Sequence, residues 1–315
     1  MALLVWVSVV EAKLLERLQY DLGFALVAAR GVLDRTPISP SWQQRLLGPL
    51  AVRALERLTG DGAVALVVFL AALLVMANLL LFAIARRRGA SLRSSVLVVV
   101  CFALASLLIV YKLEYPWDAI DVIVFLVFGH LAATGAPALY ATPLVVLGVF
   151  NHETVLYVPL WYLLGPLDRN EARRPVAFGA ISFGVAAGAI WALRRALYLG
   201  RPDLPGQVFE EVLPLIDNHF HVLHNLRALF LSNWVAGRGW ISVGLLAVVA
   251  LLVRAVARPA QRRAAVWTLL VLVTIVCFGY VNETRHYLAP LAFWFAYAAP
   301  HDASPIPVGE AGSVT

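Results

Sequence analysis

Apolar runs of roughly 15 to 22 residues recur through the chain, each cut off by Arg, Pro, Gly or a short polar cluster. Runs of that length suit helices crossing a hydrocarbon layer about 30 Å thick better than elements of a water-soluble core. A bilayer leaves only helices and closed barrels able to satisfy their own backbone. The pattern therefore predicts an all-α fold: a polytopic transmembrane bundle of about 9–10 membrane segments, some short or broken. Composition agrees, with 61% hydrophobic and 14% charged residues and a mean hydropathy of +0.81.

The net charge of +6 sits in Arg-rich breaks between apolar runs. That placement is the mark of cytoplasmic loops and argues against a nucleic-acid partner. The breaks at 86–93, 168–174 and 254–263 carry four, three and four Arg. Assigning all three to the cytoplasm makes the alternation of spans consistent. Residues 11–60, 112–118 and 194–238 then face outward. Arg outnumbers Lys, and Ala and Leu are abundant, as in GC-rich bacterial genomes; the expected address is a bacterial inner membrane. Cys101 and Cys277 fall inside apolar segments and are read as buried free thiols.

The chain is expected to form one transmembrane domain over 1–300, followed by a disordered cytoplasmic tail over 301–315. Residues 2–10 are apolar but too short to span, and no cleavable leader is evident. Residues 11–60 read as an external loop with two amphipathic helices, about 11–35 and 41–59. Ser41 is placed to cap the second, and Gly60-Asp61-Gly62 to end it. The apolar segments between 119 and 166 are short, which suggests half-spanning helices around protein or water.

Two polar motifs interrupt the apolar sequence and resemble each other. One is Asn151-His152-Glu153-Thr154, followed by Tyr157 and Pro159. The other is Asn282-Glu283-Thr284-Arg285, followed by His286, Tyr287 and Pro290. In each, a Tyr stands four residues after the Glu. A carboxylate at membrane depth is expensive and faces a cavity or a partner, so Glu153 and Glu283 are the strongest single candidates. A helix-capping role for the Asn and Thr beside them is the plainer reading. Asp21, on the first external amphipathic stretch, is a candidate general base. Arg45 and Arg285 are candidates for binding an anionic group, since guanidinium matches phosphate oxygens in a bidentate fork. The motif residues Asn151, Asn282 and His286 join them as candidate substrate contacts. Asp217, His219, His221 and His224 form an external cluster without clear metal geometry. No metal ligand set is assigned, although a divalent cation is compatible with the external carboxylates.

The layout resembles the GT-C-type integral membrane glycosyltransferases. The stretches that carry the resemblance are Tyr20-Asp21-Leu22-Gly23, Ala28-Ala29-Arg30-Gly31, Arg45-Leu46-Leu47-Gly48-Pro49 and the two Glu-Thr motifs. The paired acidic motif of better-known members is absent, because Leu22 follows Asp21. The resemblance implies a polyprenyl-phosphate-linked sugar as donor, transfer at the external membrane face, Asp21 as base, and Arg45 or Arg285 on the lipid phosphate. Two other readings stand beside it. One is a membrane-embedded polysaccharide polymerase or ligase of cell-envelope assembly. The other is a transporter or flippase, since paired helix breaks are also the mark of transporter repeats.

Overall fold

A computed structural model describes residues 2–18, 22–34, 45–109, 116–165, 173–194, 196, 221–279, 281 and 284–299. The expected tail at 301–315, the Ser41 cap and most of the 194–238 segment lie outside the described residues. Among those described, every regular element is helical.

Five helices are long and apolar enough to cross a membrane: α4 (Gly62–Arg87), α5 (Leu92–Ile109), α9 (Arg173–Arg194), α12 (Gly239–Val256) and α13 (Pro259–Phe278). The chain thus has the architecture of a multi-pass membrane protein. The segments between 119 and 166 expected to be short are short: α6 (Asp118–Ala133), α7 (Thr142–Val149) and α8 (Tyr157–Leu163), and the last helix, α14 (Leu288–Tyr297), is short as well. The first Glu-Thr motif and the described part of the second, from Thr284, fold similarly. Glu153–Leu156 and Thr284–Tyr287 each form one 3₁₀ turn that runs directly into an α-helix, α8 and α14 respectively.

The N-terminal region departs from expectation. The apolar residues 2–10 and the start of the amphipathic stretch form one helix, α1 (Ala2–Leu18), packed on α4 and α5. Glu11 is therefore buried in the bundle and is not part of an external loop. After α2 (Leu22–Leu33) and α3 (Leu47–Thr59), the predicted stop holds. Gly60 takes the left-handed conformation, φ 72°, that a residue without Cβ tolerates. Asp61 then caps α4 by accepting the Ala63 and Val64 backbone N–H groups. Arg30 on α2 pairs with Glu56 on α3, which also takes Arg53 at 2.8 Å. The cysteines differ from expectation as well. Both are free, but Cys101 is exposed on the bundle surface and Cys277 is half-buried, because each helix turns one apolar face outward as well as one inward.

α6 and α14 form the tightest helix pair. Gly129 makes this possible, since a Cβ there would stand 2.4 Å from the Phe293 carbonyl oxygen. Around the crossing, Phe128, Trp161, Trp267 and Phe293 pack ring against ring, with Trp267 and Phe293 centroids 4.3 Å apart. All four are buried.

The two ends of the bundle differ in charge. Arg88 donates to the carbonyls of Ala296 and Tyr297, at the far end of α14. Arg263, just inside α13, donates to the Trp161 carbonyl on α8 and stacks over its ring. The Arg-rich breaks at 86–93 and 254–263 thus share one end, as the positive-inside reading requires. The first turns of α6, α8 and α14 face the other end.

Candidate functional site

At that opposite end, four separated stretches of sequence meet. Asp118 and Asp121 stand three residues apart in the first turn of α6, hence on one face, where the helix N-terminus favours anions. The start of α3 is fastened beside them. The Leu47 N–H donates to the Phe150 carbonyl at 2.9 Å. Gly48 lies against the Trp117 side chain so closely that a Cβ would sit 2.3 Å from it. This contact carries Arg45 into the site, where it is only 2% exposed.

Arg45 and Arg285, 240 positions apart, converge on one carboxylate. Arg285 Nη1 donates to Asp118 Oδ2 at 3.1 Å, and Arg45 Nη1 lies 3.7 Å from Asp118 Oδ1. Asp121 is held differently. Asn151 Nδ2 donates to its Oδ1 at 2.7 Å, and Thr154 Oγ1 donates to its Oδ2 at 2.8 Å. Asn151 also reaches the Trp117 carbonyl at 3.3 Å. The Asn and Thr of the first motif therefore fix a carboxylate of α6 and do not merely cap their own turn.

His152 caps that turn instead. Its Nδ1 accepts the Thr154 backbone N–H at 3.1 Å. A ring nitrogen that accepts an N–H carries no proton, so Nδ1 is the unprotonated nitrogen of a neutral ring. Burial, and then the charge of Arg45, push its pKa down to about 3. Its 3.8 Å approach to Asp121 Oδ2 is therefore no ion pair.

Asp118, Asp121, His152, Thr154, Arg285, His286, Leu288 and Ala289 line a small cleft. The enclosed space between them is about 10 Å³, about room for one water molecule, and it opens outward at its mouth. Glu153 stands at the rim with its side chain 37% exposed and its Oε2 4.0 Å from His152 Nδ1.

The structure thus brings together Arg45, Arg285, Asn151 and His286, with Glu153 at the edge. Asp21, Asn282 and Glu283 lie outside the described residues, as do Asp217 and His219. His221 and His224 belong to a separate helix, α10 (Val222–Arg227), and its approach. Among the described residues, no group of three or more His, Cys, Asp or Glu side chains is arranged for a metal ion. Sequence reasoning passed over Asp121, took Asp118 as part of a loop, read Thr154 as a helix cap and gave His152 no role in the site. A signal did exist: two Asp one turn apart, opening an apolar helix after Pro116-Trp117. The chain matches no protein-family profile, no curated protein and no solved structure.

Proposed function

We propose that this chain is a bacterial inner-membrane transferase. It takes a sugar from a polyprenyl-phosphate donor at the outer end of its bundle. One observation carries the reading: two guanidiniums from opposite ends of the sequence converge on a single carboxylate beside an apolar wall, Leu288 and Ala289. A lipid phosphate can replace the Asp118 carboxylate on Arg285 and Arg45, with its polyprenyl chain running along the apolar side. When the sugar leaves, negative charge grows on that phosphate, and fixed guanidiniums stabilise it.

Meanwhile the acceptor hydroxyl loses a proton. Of the two Asp lining the cleft, Asp121 is the one with no guanidinium at ion-pair distance among the described residues, and Asn151 and Thr154 fix its orientation. It receives the proton as general base. His152 stays neutral and positions Thr154.

The test reconstitutes the full chain in vesicles with radiolabelled polyprenyl-phosphate sugars and membrane acceptors. Arg285→Ala and Asp121→Asn should each abolish transfer while the protein stays folded. Near-normal transfer by both variants would refute the reading.

The like-folded breaks before α8 and α14 favour a second reading, a flippase for the same class of lipid. Movement of a fluorescent polyprenyl phosphate across the vesicle membrane, without sugar transfer, would decide for it.

A further inference from the structure

A second polar cluster lies inside the bundle, away from the cleft. Glu11 on α1 is 1% exposed, and Ser8 on α1 and Asn78 on α4 are fully buried. Asn78 Nδ2 donates to Ser8 Oγ at 2.9 Å and to Glu11 Oε2 at 3.1 Å. Ser8 passes its own proton to the Leu4 carbonyl at 2.9 Å. Two buried oxygens then accept no hydrogen bond, Glu11 Oε1 and Asn78 Oδ1. Both are acceptors, and they belong to the two side chains already joined on their other edges.

A buried polar atom with no partner is costly, and a buried carboxylate with no counter-charge far more so. Among the described residues, no cation lies within ion-pair distance of Glu11. On the helices packed around it, Lys13 is exposed, Asp61, Arg86 and Arg87 mark the ends of α4, and Arg93 opens α5. One proton on Glu11 removes the charge and supplies a donor for the unpartnered edge.

We infer that Glu11 is a proton-binding site. It is a neutral carboxylic acid, paired reciprocally with the Asn78 carboxamide: Nδ2–H to Oε2 on one edge, and Oε1–H to Oδ1 on the other. Asn78 stands about 24 Å along α4 from Gly62 and about 14 Å from Arg87, at 1.5 Å per residue. The proton is therefore held deep between α1 and α4, and its exchange requires the two helices to part. An ionisable group at such depth is a functional element by default. The site is independent of the cleft and of the transfer reaction proposed there.

The experiment treats the full chain in vesicles at neutral pH with dicyclohexylcarbodiimide, a reagent for protonated carboxyls in apolar surroundings. The acid proton moves to a carbodiimide nitrogen and the carboxylate oxygen adds to the central carbon. The resulting O-acylisourea rearranges to a stable N-acylurea. Peptide mass mapping should find the adduct on Glu11, a measurement that needs no variant. Glu11→Gln keeps a donor opposite Asn78 Oδ1. It should fold, lose the adduct, and lose one protonated-carboxyl C=O band from the infrared spectrum. Three results would each overturn the inference: folded wild-type protein without an adduct on Glu11, an infrared spectrum unchanged in Glu11→Gln, or labelling suppressed by sodium but not by choline. The last would identify a metal cation as the occupant.

Discussion

Replacing Arg285 with Ala separates the structural role of the guanidinium pair from its catalytic one. Arg285 and Asp118 side chains are each 9% exposed and 3.1 Å apart. Removing one partner of a buried pair typically costs about 3–5 kcal/mol, because the other charge is left stranded. Here Arg45 remains 3.7 Å from the same carboxylate, so the expected loss is at the low end, about 3 kcal/mol. Arg285→Ala combined with Asp118→Asn removes both charges of the closer pair but takes the Asp118 carboxylate from the buried Arg45 as well. The double variant should therefore lose less than the sum of the two single changes, with a coupling energy of about 1.5 kcal/mol or more in a double-mutant cycle. Denaturant unfolding in mixed micelles measures this. The same proteins are then assayed for transfer. Part of the stability should return in the double variant, and transfer should not, because a phosphate still lacks its fork. Additivity within about 0.5 kcal/mol would refute the buried pairing. Recovered transfer would refute the assignment of Arg285 to the phosphate.

Gly129→Ala places a methyl 2.4 Å from the Phe293 carbonyl; the α6–α14 pair should lose about 1–3 kcal/mol in the same unfolding assay. His152 is neutral in the fold, whereas an unfolded chain takes up its proton below the ordinary value of 6.5. Its contribution is therefore complete above that pH and is lost as pH falls from 6.5 toward about 3. His152→Asn should flatten part of the acid limb of a stability–pH curve. With Cys101 and Cys277 replaced by Ser, an impermeant thiol reagent on intact cells should label Asn218→Cys and spare Arg87→Cys; the reverse pattern would invert the topology.

Much of this fold was legible because helix length in a bilayer is set by hydrocarbon thickness, and Arg-rich breaks mark where apolar helices end. Gly60-Asp61-Gly62 ended one helix and began the next for local reasons that the residues themselves display. The two Glu-Thr motifs were readable as helix breaks, and Arg45 and Arg285 as unusual cations. Their meeting on Asp118 was not readable, because it depends on how α3, α6 and α14 pack. Asp118 passed as a loop residue, although the Pro116-Trp117 before it opens a helix. Glu11 passed as the start of an external stretch for a similar reason. Its burial depends on Asn78, 67 residues away, and no local periodicity encodes that partner. Asn151 and Thr154 were read for what they do to their own backbone, whereas their side chains serve a carboxylate on α6.

The aromatic layer at the α6–α14 crossing bears on traffic through the protein. Phe125, Phe128, Trp161, Trp267 and Phe293 are all buried and mutually in contact. Any solute moving from the cleft to the Arg-rich end along the α6–α14 axis would have to displace several rings at once from a packed interior. The cleft is thus a vestibule closed along that axis: what enters from its own end of the bundle leaves by the same end. Such a floor suits a reaction whose donor, acceptor and spent lipid phosphate all share one membrane face. It also sets a steep barrier that a flippase built on this chain would have to route around.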